Sequence, residues 1–299
     1  MHVLDEFGEA ATRLLSVDGL GGDTLELLVD RAGSVHAAAS AIMCGDASQW
    51  LPGRGCELLR EQMEQIDVSA LQRSAERSGA GIMLVTDDCY PVLLRALPVS
   101  PGVLWLRGTV PLGCAGAIVG ARRCTEYGRV QAARCAGSLS VAGVTTVSGG
   151  ARGIDAAAHR GALRAGGATI AVLGSGHAVP YPPEHETLFD AIVEEGGCVM
   201  SEFRCDREPR PGNFPRRNRI IAGLSAAVGI MEAAWRSGAL ITARIAVEDL
   251  GRDALAVPGR VDAPASGGCI RALREGWAGV LSDPSDLVEA CLSSVAARR

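Results

Sequence analysis

From residue 115 onward the chain alternates short apolar runs with stretches of helical length, and the first three of the runs end in or beside glycine. Apolar runs that are each followed by a helix are what a parallel sheet covered on both faces requires. The runs 117–120, 144–148, 169–173, 198–201, 227–231, 254–257 and 279–281 therefore read as strands. The stretches 126–141, 154–165, 184–195, 217–224, 238–250 and 284–297 read as the helices between them. The expected fold class is α/β, a doubly wound, mostly parallel, Rossmann-like sheet over 115–299.

Residues 1–80 follow a different period. Leu14, Leu15 and Val17, then Leu25, Leu27, Leu28 and Val29, flank the turn Asp18-Gly19-Leu20-Gly21-Gly22, and helical spacing returns at Leu58, Leu59, Met63, Ile66 and Leu71. This spacing predicts a small helical N-terminal domain. The glycine turn has two readings. One is a helix-hairpin-helix unit whose turn amides hold a phosphate; the other is a plain turn in a small bundle, which the acidity of the segment favours. A connecting segment over 81–114 joins the two parts, with short strands around the proline-punctuated loop at Tyr90-Pro91.

Composition removes several kinds of chemistry. All 29 cationic residues are arginine, so there is no P-loop, Schiff-base or kinase-type lysine. The formal net charge of −5 argues against a general polyanion binder. The distribution is uneven, however. Residues 1–110 carry 15 acids and 8 arginines, whereas 111–299 carry 19 acids and 21 arginines, six of them within 204–219. The ten cysteines never form C-x-x-C, which leaves no zinc-ligand spacing and no short disulfide framework. A reduced, cytoplasmic protein without a metal is expected. The acidic N-terminus does not resemble a signal peptide, and no 18-residue apolar stretch predicts membrane insertion.

The carboxyl ends of the strands are where such a sheet binds ligands, and here they are rich in glycine. They read Gly120-Ala121-Arg122-Arg123, Ser148-Gly149-Gly150-Ala151-Arg152-Gly153, Gly174-Ser175-Gly176 and, after the fifth strand, Ser237-Gly238-Ala239-Leu240-Ile241-Thr242. Glycine lets backbone approach a ligand, and helix N-termini attract anions, so several such loops on one rim suggest a row of phosphate sites. The 148–153 loop lacks the full G-x-G-x-x-G spacing, and no acidic residue follows at ribose-binding distance, so no dinucleotide cofactor is expected. The segment Asn213-Phe214-Pro215-Arg216-Arg217-Asn218-Arg219 offers arginine forks for phosphates and an aromatic ring for a base. An equal reading pairs these arginines with Asp155, Glu202 and Glu232. The histidines sit in neither H-E-x-x-H nor G-x-S-x-G, and no catalytic residue is assigned.

Together these segments resemble the DprA/Smf family of DNA-processing proteins. The resemblance runs from about Tyr90 to Leu287 and is carried by Tyr90-Pro91, Leu104–Gly108, Ile118–Arg122, Ser148–His159, Tyr181-Pro182, Ser201-Glu202, Phe214–Leu224, Ser237–Thr242 and Val257–Gly259. It implies an extended Rossmann fold that is not an enzyme but binds single-stranded DNA, dimerises and loads RecA recombinase in natural transformation and recombination. The DNA-binding residues it suggests are Gly120, Arg122, Ser148, Gly149, Gly150, Arg152, Gly174, Ser175, Gly176, Tyr181, Phe214, Arg216, Arg217, Asn218, Arg219, Ser237, Gly238 and Thr242. Where the family has an aliphatic residue and Asp after Gly176, this chain has His177 and Ala178, and the family's Glu-Asn reads Glu184-His185. The C-terminal winged helix of many members is not expected.

Other readings belong to different classes. Phosphoribohydrolases of the lysine-decarboxylase-like family share this sheet type, but their P-G-G-x-G-T-x-x-E is missing, since Pro258-Gly259 continues Arg260-Val261-Asp262. Another is a purely structural partner-binding module. Ile270, Leu273 and Trp277 would share one face of a helix if Gly276 does not end it first. Pattern alone packs that face on the sheet; the resemblance places it at a homodimer or RecA interface.

Overall fold

The computed structural model describes residues 2–3 and 6–296, with backbone only at 295. Two compact units emerge, Met1–Arg107 with Ser175–Val179 and Ser201–Pro209, and Gly108–Gly174 with Pro180–Met200 and Arg210–Arg299.

The first unit is helical at its start, with α1 (Glu9–Leu15), α2 (Gly22–Ala32), α3 (Val35–Cys44), α4 (Gly55–Glu64) and α5 (Val68–Ser78). Of the side chains that the helical period called for, Leu14, Leu15, Leu25, Leu28, Met63 and Leu71 are fully buried, while Leu58 is exposed; Ile42 is fully buried as well. An antiparallel pair follows, β1 (Gly81–Leu84) and β2 (Val103–Gly108), with the short α6 (Val92–Arg95) between them. The glycine turn before α2 serves this unit itself. The Gly22 N–H donates to the Ser100 carbonyl, and the Asp18 carboxylate pairs with Arg207 at 3.2 Å. A carboxylate there, with an amide already spent, favours the plain turn over a phosphate site.

The second unit is the parallel sheet. In chain order it runs β3 (Ala115–Val119), α7 (Glu126–Val141), β4 (Thr145–Ser148), α8 (Ile154–Arg164), β5 (Thr169–Val172), α9 (Glu186–Glu194), β6 (Cys198–Ser201), α10 (Asn213–Leu224), β7 (Ala227–Ile230), α11 (Gly238–Arg244), β8 (Asp253–Ala256), α12 (Gly267–Arg274), β9 (Gly279–Val280) and α13 (Pro284–Ala296). Residue 297, where the sequence pattern ended the last helix, lies outside the described residues. The strands lie in the order β6-β5-β4-β3-β7-β8-β9, every pair parallel. From β3 the chain winds one way to β6 and then returns to β7 on the other side. The direction therefore switches between β3 and β7, where doubly wound sheets open a ligand crevice.

Two boundaries differ from the sequence pattern. α10 begins at Asn213 rather than 217, because Pro215 sits in the first turn, where a missing N–H costs nothing. α11 stops at Arg244 and passes into a π-turn over Ile245–Asp249.

Candidate nucleic-acid interface

Four side chains on the carboxyl rim of the second unit form one continuous run. Arg122, in the loop after β3, holds its guanidinium carbon 4.7 Å from the centre of the Phe214 ring. Phe214, in the first turn of α10, packs against Tyr181 at a centroid distance of 5.6 Å. Arg152, after β4, lies 5.7 Å over the Tyr181 ring and also pairs with Glu184. Arg122 and Arg152 are exposed; Phe214 and Tyr181 are half-buried. Gly174, at the end of β5, makes room for this run, because a Cβ there would come within 2.7 Å of the Phe214 ring.

Beneath the run lies a buried charge pair. Arg217, 3% exposed, donates to the carbonyls of Gly149 and Val172. Asp155 accepts from the Ala151 N–H at 3.2 Å, and burial raises its pKa against the pull of Arg217. Burial likewise brings the Arg217 pKa down to about 10, with Asp155 opposing and Arg122 assisting, so the guanidinium is charged at neutral pH. Arg217 thus pairs with an acid, as one of the two sequence readings held, and it offers no fork to solvent.

The other sequence candidates sort by exposure. Ser148 is fully buried and donates to the Ile118 carbonyl at 2.6 Å. Gly149 and Gly150 are buried backbone at the end of β4, and Gly120 is partly exposed after β3. Asn218 donates to the Gly238 carbonyl at 3.2 Å, Ser237 caps α11 at the Ala239 N–H, and Thr242 is 1% exposed. These residues build the rim rather than face out from it. Arg216 and Arg219 are half-buried on α10. Ser175 and Gly176 fall in the first unit, where the Ser175 carbonyl accepts from Ser201 at 2.8 Å.

The idea of free helix-terminal amides needs correction at α8. Its Ile154 N–H donates to the Ala121 carbonyl and its Ala156 N–H to Ala151. The rim's attraction for anions therefore rests on arginines more than on that terminus. Glu232, which an enzymatic reading would use, is 4% exposed and accepts from the Thr125 N–H at 2.8 Å and its Oγ1 at 2.5 Å. It ties the loop after β7 to the start of α7. Among the described residues no group of acids, histidines and cysteines is placed to hold a metal, and no helix is long and apolar enough to cross a membrane.

One rim residue was missed. Trp235, in the loop after β7, is 52% exposed, with the Arg271 guanidinium 4.9 Å from its ring centre. An aromatic directly before Arg236 and the capped start of α11 was the available signal.

On α12, Gly268, Cys269 and Ala272 face inward, while Ile270 and Leu273 remain partly exposed. Gly276, at φ +75, turns the chain before Trp277, whose ring lies 4.8 Å from the Arg244 guanidinium. The face expected to pack on the sheet is thus not the buried one, because smaller residues fill that position.

Residues 81–292 match the family model described as DNA recombination-mediator protein A. The chain is 42% identical to Protein Smf of Escherichia coli over 68% of its own length and 54% of that protein's, so it spans about half of that relative. It is 37% identical to DNA processing protein DprA of Streptococcus pneumoniae over 83% of this chain and 87% of that one. The solved structure of the Streptococcus pneumoniae protein covers 94% of this chain and is itself covered to 97%, with 32% identity and a TM-score of 0.78. A Helicobacter pylori DNA processing protein A structure, described by its single-stranded DNA binding mode, covers 72% of this chain and is covered to 96%, with 27% identity and a TM-score of 0.63.

Proposed function

Because the chain belongs to the DNA recombination-mediator protein A family, we propose that it binds single-stranded DNA along the carboxyl rim of its parallel sheet. The observation that carries this is the run Arg122–Phe214–Tyr181–Arg152. Two exposed guanidinium forks flank two partly open rings, which is the pairing that an unpaired strand uses: cations for phosphates and π-faces for bases. A duplex keeps its bases stacked inside and offers nothing to the rings. Phe214 and Tyr181 receive bases, Arg122 and Arg152 receive phosphates, and Gly120, Gly149, Gly150 and Gly174 let the rim's own side chains and loops pack closely beneath the strand. Arg216 and Arg219 add positive potential from α10. Arg217, Asn218, Ser148, Ser237, Gly238 and Thr242 hold the loops in shape.

In the cell, this activity serves DNA processing in transformation and recombination, where the protein works as a homodimer that delivers RecA to the strand. Support for this part comes from the family and from the partly exposed Ile270, Leu273 and Trp277. The protein is not an enzyme in this role. Competition between labelled single-stranded DNA and unlabelled duplex of the same sequence tests the central reading. A duplex that competes as well as the single strand overturns it.

A further inference from the structure

A second basic feature lies beside the rim. Between α7 and α8 runs a cleft of about 270 Å³ lined by Arg129, Arg152, Arg160 and Arg164, with Glu126 and His185 also in its wall and Ala133 and Ala156 among its apolar lining. Gly161 lets the helices meet, since a Cβ there would stand 2.6 Å from the Ala133 carbonyl oxygen. Arg129 pairs with Glu126 at 2.9 Å and Arg152 with Glu184. Arg160 and Arg164 are both exposed, and neither has a carboxylate partner among the described residues.

Two features set this pair of arginines apart from an ordinary solvated helix face. They stand four residues apart on α8, about 6 Å along the axis, where like charges weaken the helix. The helix dipole favours Arg164 in the last turn but does nothing for Arg160 a turn earlier. An anion lying along the cleft relieves that repulsion. The cleft also shares Arg152 with the proposed DNA rim, so it continues from the rim without a break.

We infer that this cleft takes the phosphates of a single strand as it leaves the rim, giving a second, sequence-independent backbone track along α8. This rests on the single-stranded DNA reading of the rim. The occupant is the same strand, because Arg152 belongs to both the rim and the cleft, and the ring in the cleft lining, His185, is buried and bonded to the Gly150 carbonyl rather than open to a base.

The test compares two oligothymidylates, of about six and about twenty nucleotides, on the wild-type chain and on the double variant Arg160→Ala/Arg164→Ala, with circular dichroism checking that the fold is kept. The expected result is unchanged binding of the short oligomer and severalfold weaker binding of the long one. The salt dependence of the long oligomer should also fall, by about 1.4 on a log-log plot for two lost phosphate contacts. Unchanged affinity and slope with the long oligomer overturn the track while leaving the rim reading intact. Equal loss with both lengths also overturns it, because the arginines would then act on the rim itself. If the wild-type chain binds neither oligomer, the rim reading fails and the track fails with it.

Discussion

The Arg122 guanidinium carbon sits over the Phe214 ring, 4.7 Å from its centre, although one residue follows β3 and the other lies in the first turn of α10. Each therefore positions the other. The ring limits the rotamers of a long exposed cation, and the cation covers part of a ring that would otherwise lie bare. A fork held in place loses less entropy on meeting a phosphate than a free one.

Removing the ring should separate stacking from charge. Phe214→Ala is expected to weaken single-stranded DNA binding by about 1–3 kcal/mol, the range for one stacked base. The salt slope should change little, since no phosphate contact is lost. Fluorescence anisotropy at several salt concentrations measures both quantities. A changed slope with unchanged affinity at low salt would show that Phe214 meets no base.

Arg217 should behave differently from Arg122. Its guanidinium is buried against Asp155 and the carbonyls of Gly149 and Val172, so Arg217→Met leaves a carboxylate and two acceptors without their cation. The expected cost is about 3–5 kcal/mol of stability. Urea denaturation checks this, and Arg122→Ala, at an exposed site, should leave the midpoint almost unmoved.

This contrast shows what the sequence could and could not reveal. Strands β3 to β7 were legible because both faces of each are buried, which keeps their runs short and mostly apolar; β6 runs over Cys198–Ser201, as read. The rim was legible because glycines cluster at strand ends. The split among neighbouring arginines was harder, since Arg216, Arg217 and Arg219 look alike in composition. Helical spacing did carry a clue: Arg217 stands three and four residues before the buried Ile220 and Ile221, on the inward stripe. Arg252 was missed outright. It is 3% exposed and donates to the Ala222, Gly223 and Ser225 carbonyls at 2.6–2.8 Å, closing the end of α10 from far along the chain. Only tertiary structure brings such partners together.

Acid should destabilise the chain through two buried histidines. Burial holds His159 down at about 3 and His177 at about 4, from an ordinary 6.5, so both stay neutral in the fold while the unfolded chain takes up protons below 6.5. Their contribution is intact above that pH and is lost as pH falls from 6.5 toward 4. The rate is about 1.4 kcal/mol per pH unit for each histidine. Melting temperatures across this window should fall steadily in the wild type and less steeply in His159→Gln or His177→Gln. Parallel curves would contradict the assignment.

Self-association is expected through α12. Light scattering at tens of micromolar should report a homodimer, and Leu273→Arg, at a partly exposed position, should give a folded monomer. A monomeric wild-type chain would refute the dimer. An unfolded Leu273→Arg would place that side chain in the core.

The central claim is that exposed arginines on the rim hold the phosphates of a single strand, and a salt titration of oligothymidylate binding reads it directly. The wild-type chain should lose affinity linearly on a log-log plot, and Arg122→Ala should both weaken binding and lower the slope by about 0.7, one phosphate contact on a single strand. A wild-type affinity indifferent to salt, or an Arg122→Ala chain that matches the wild type in affinity and slope, would contradict it.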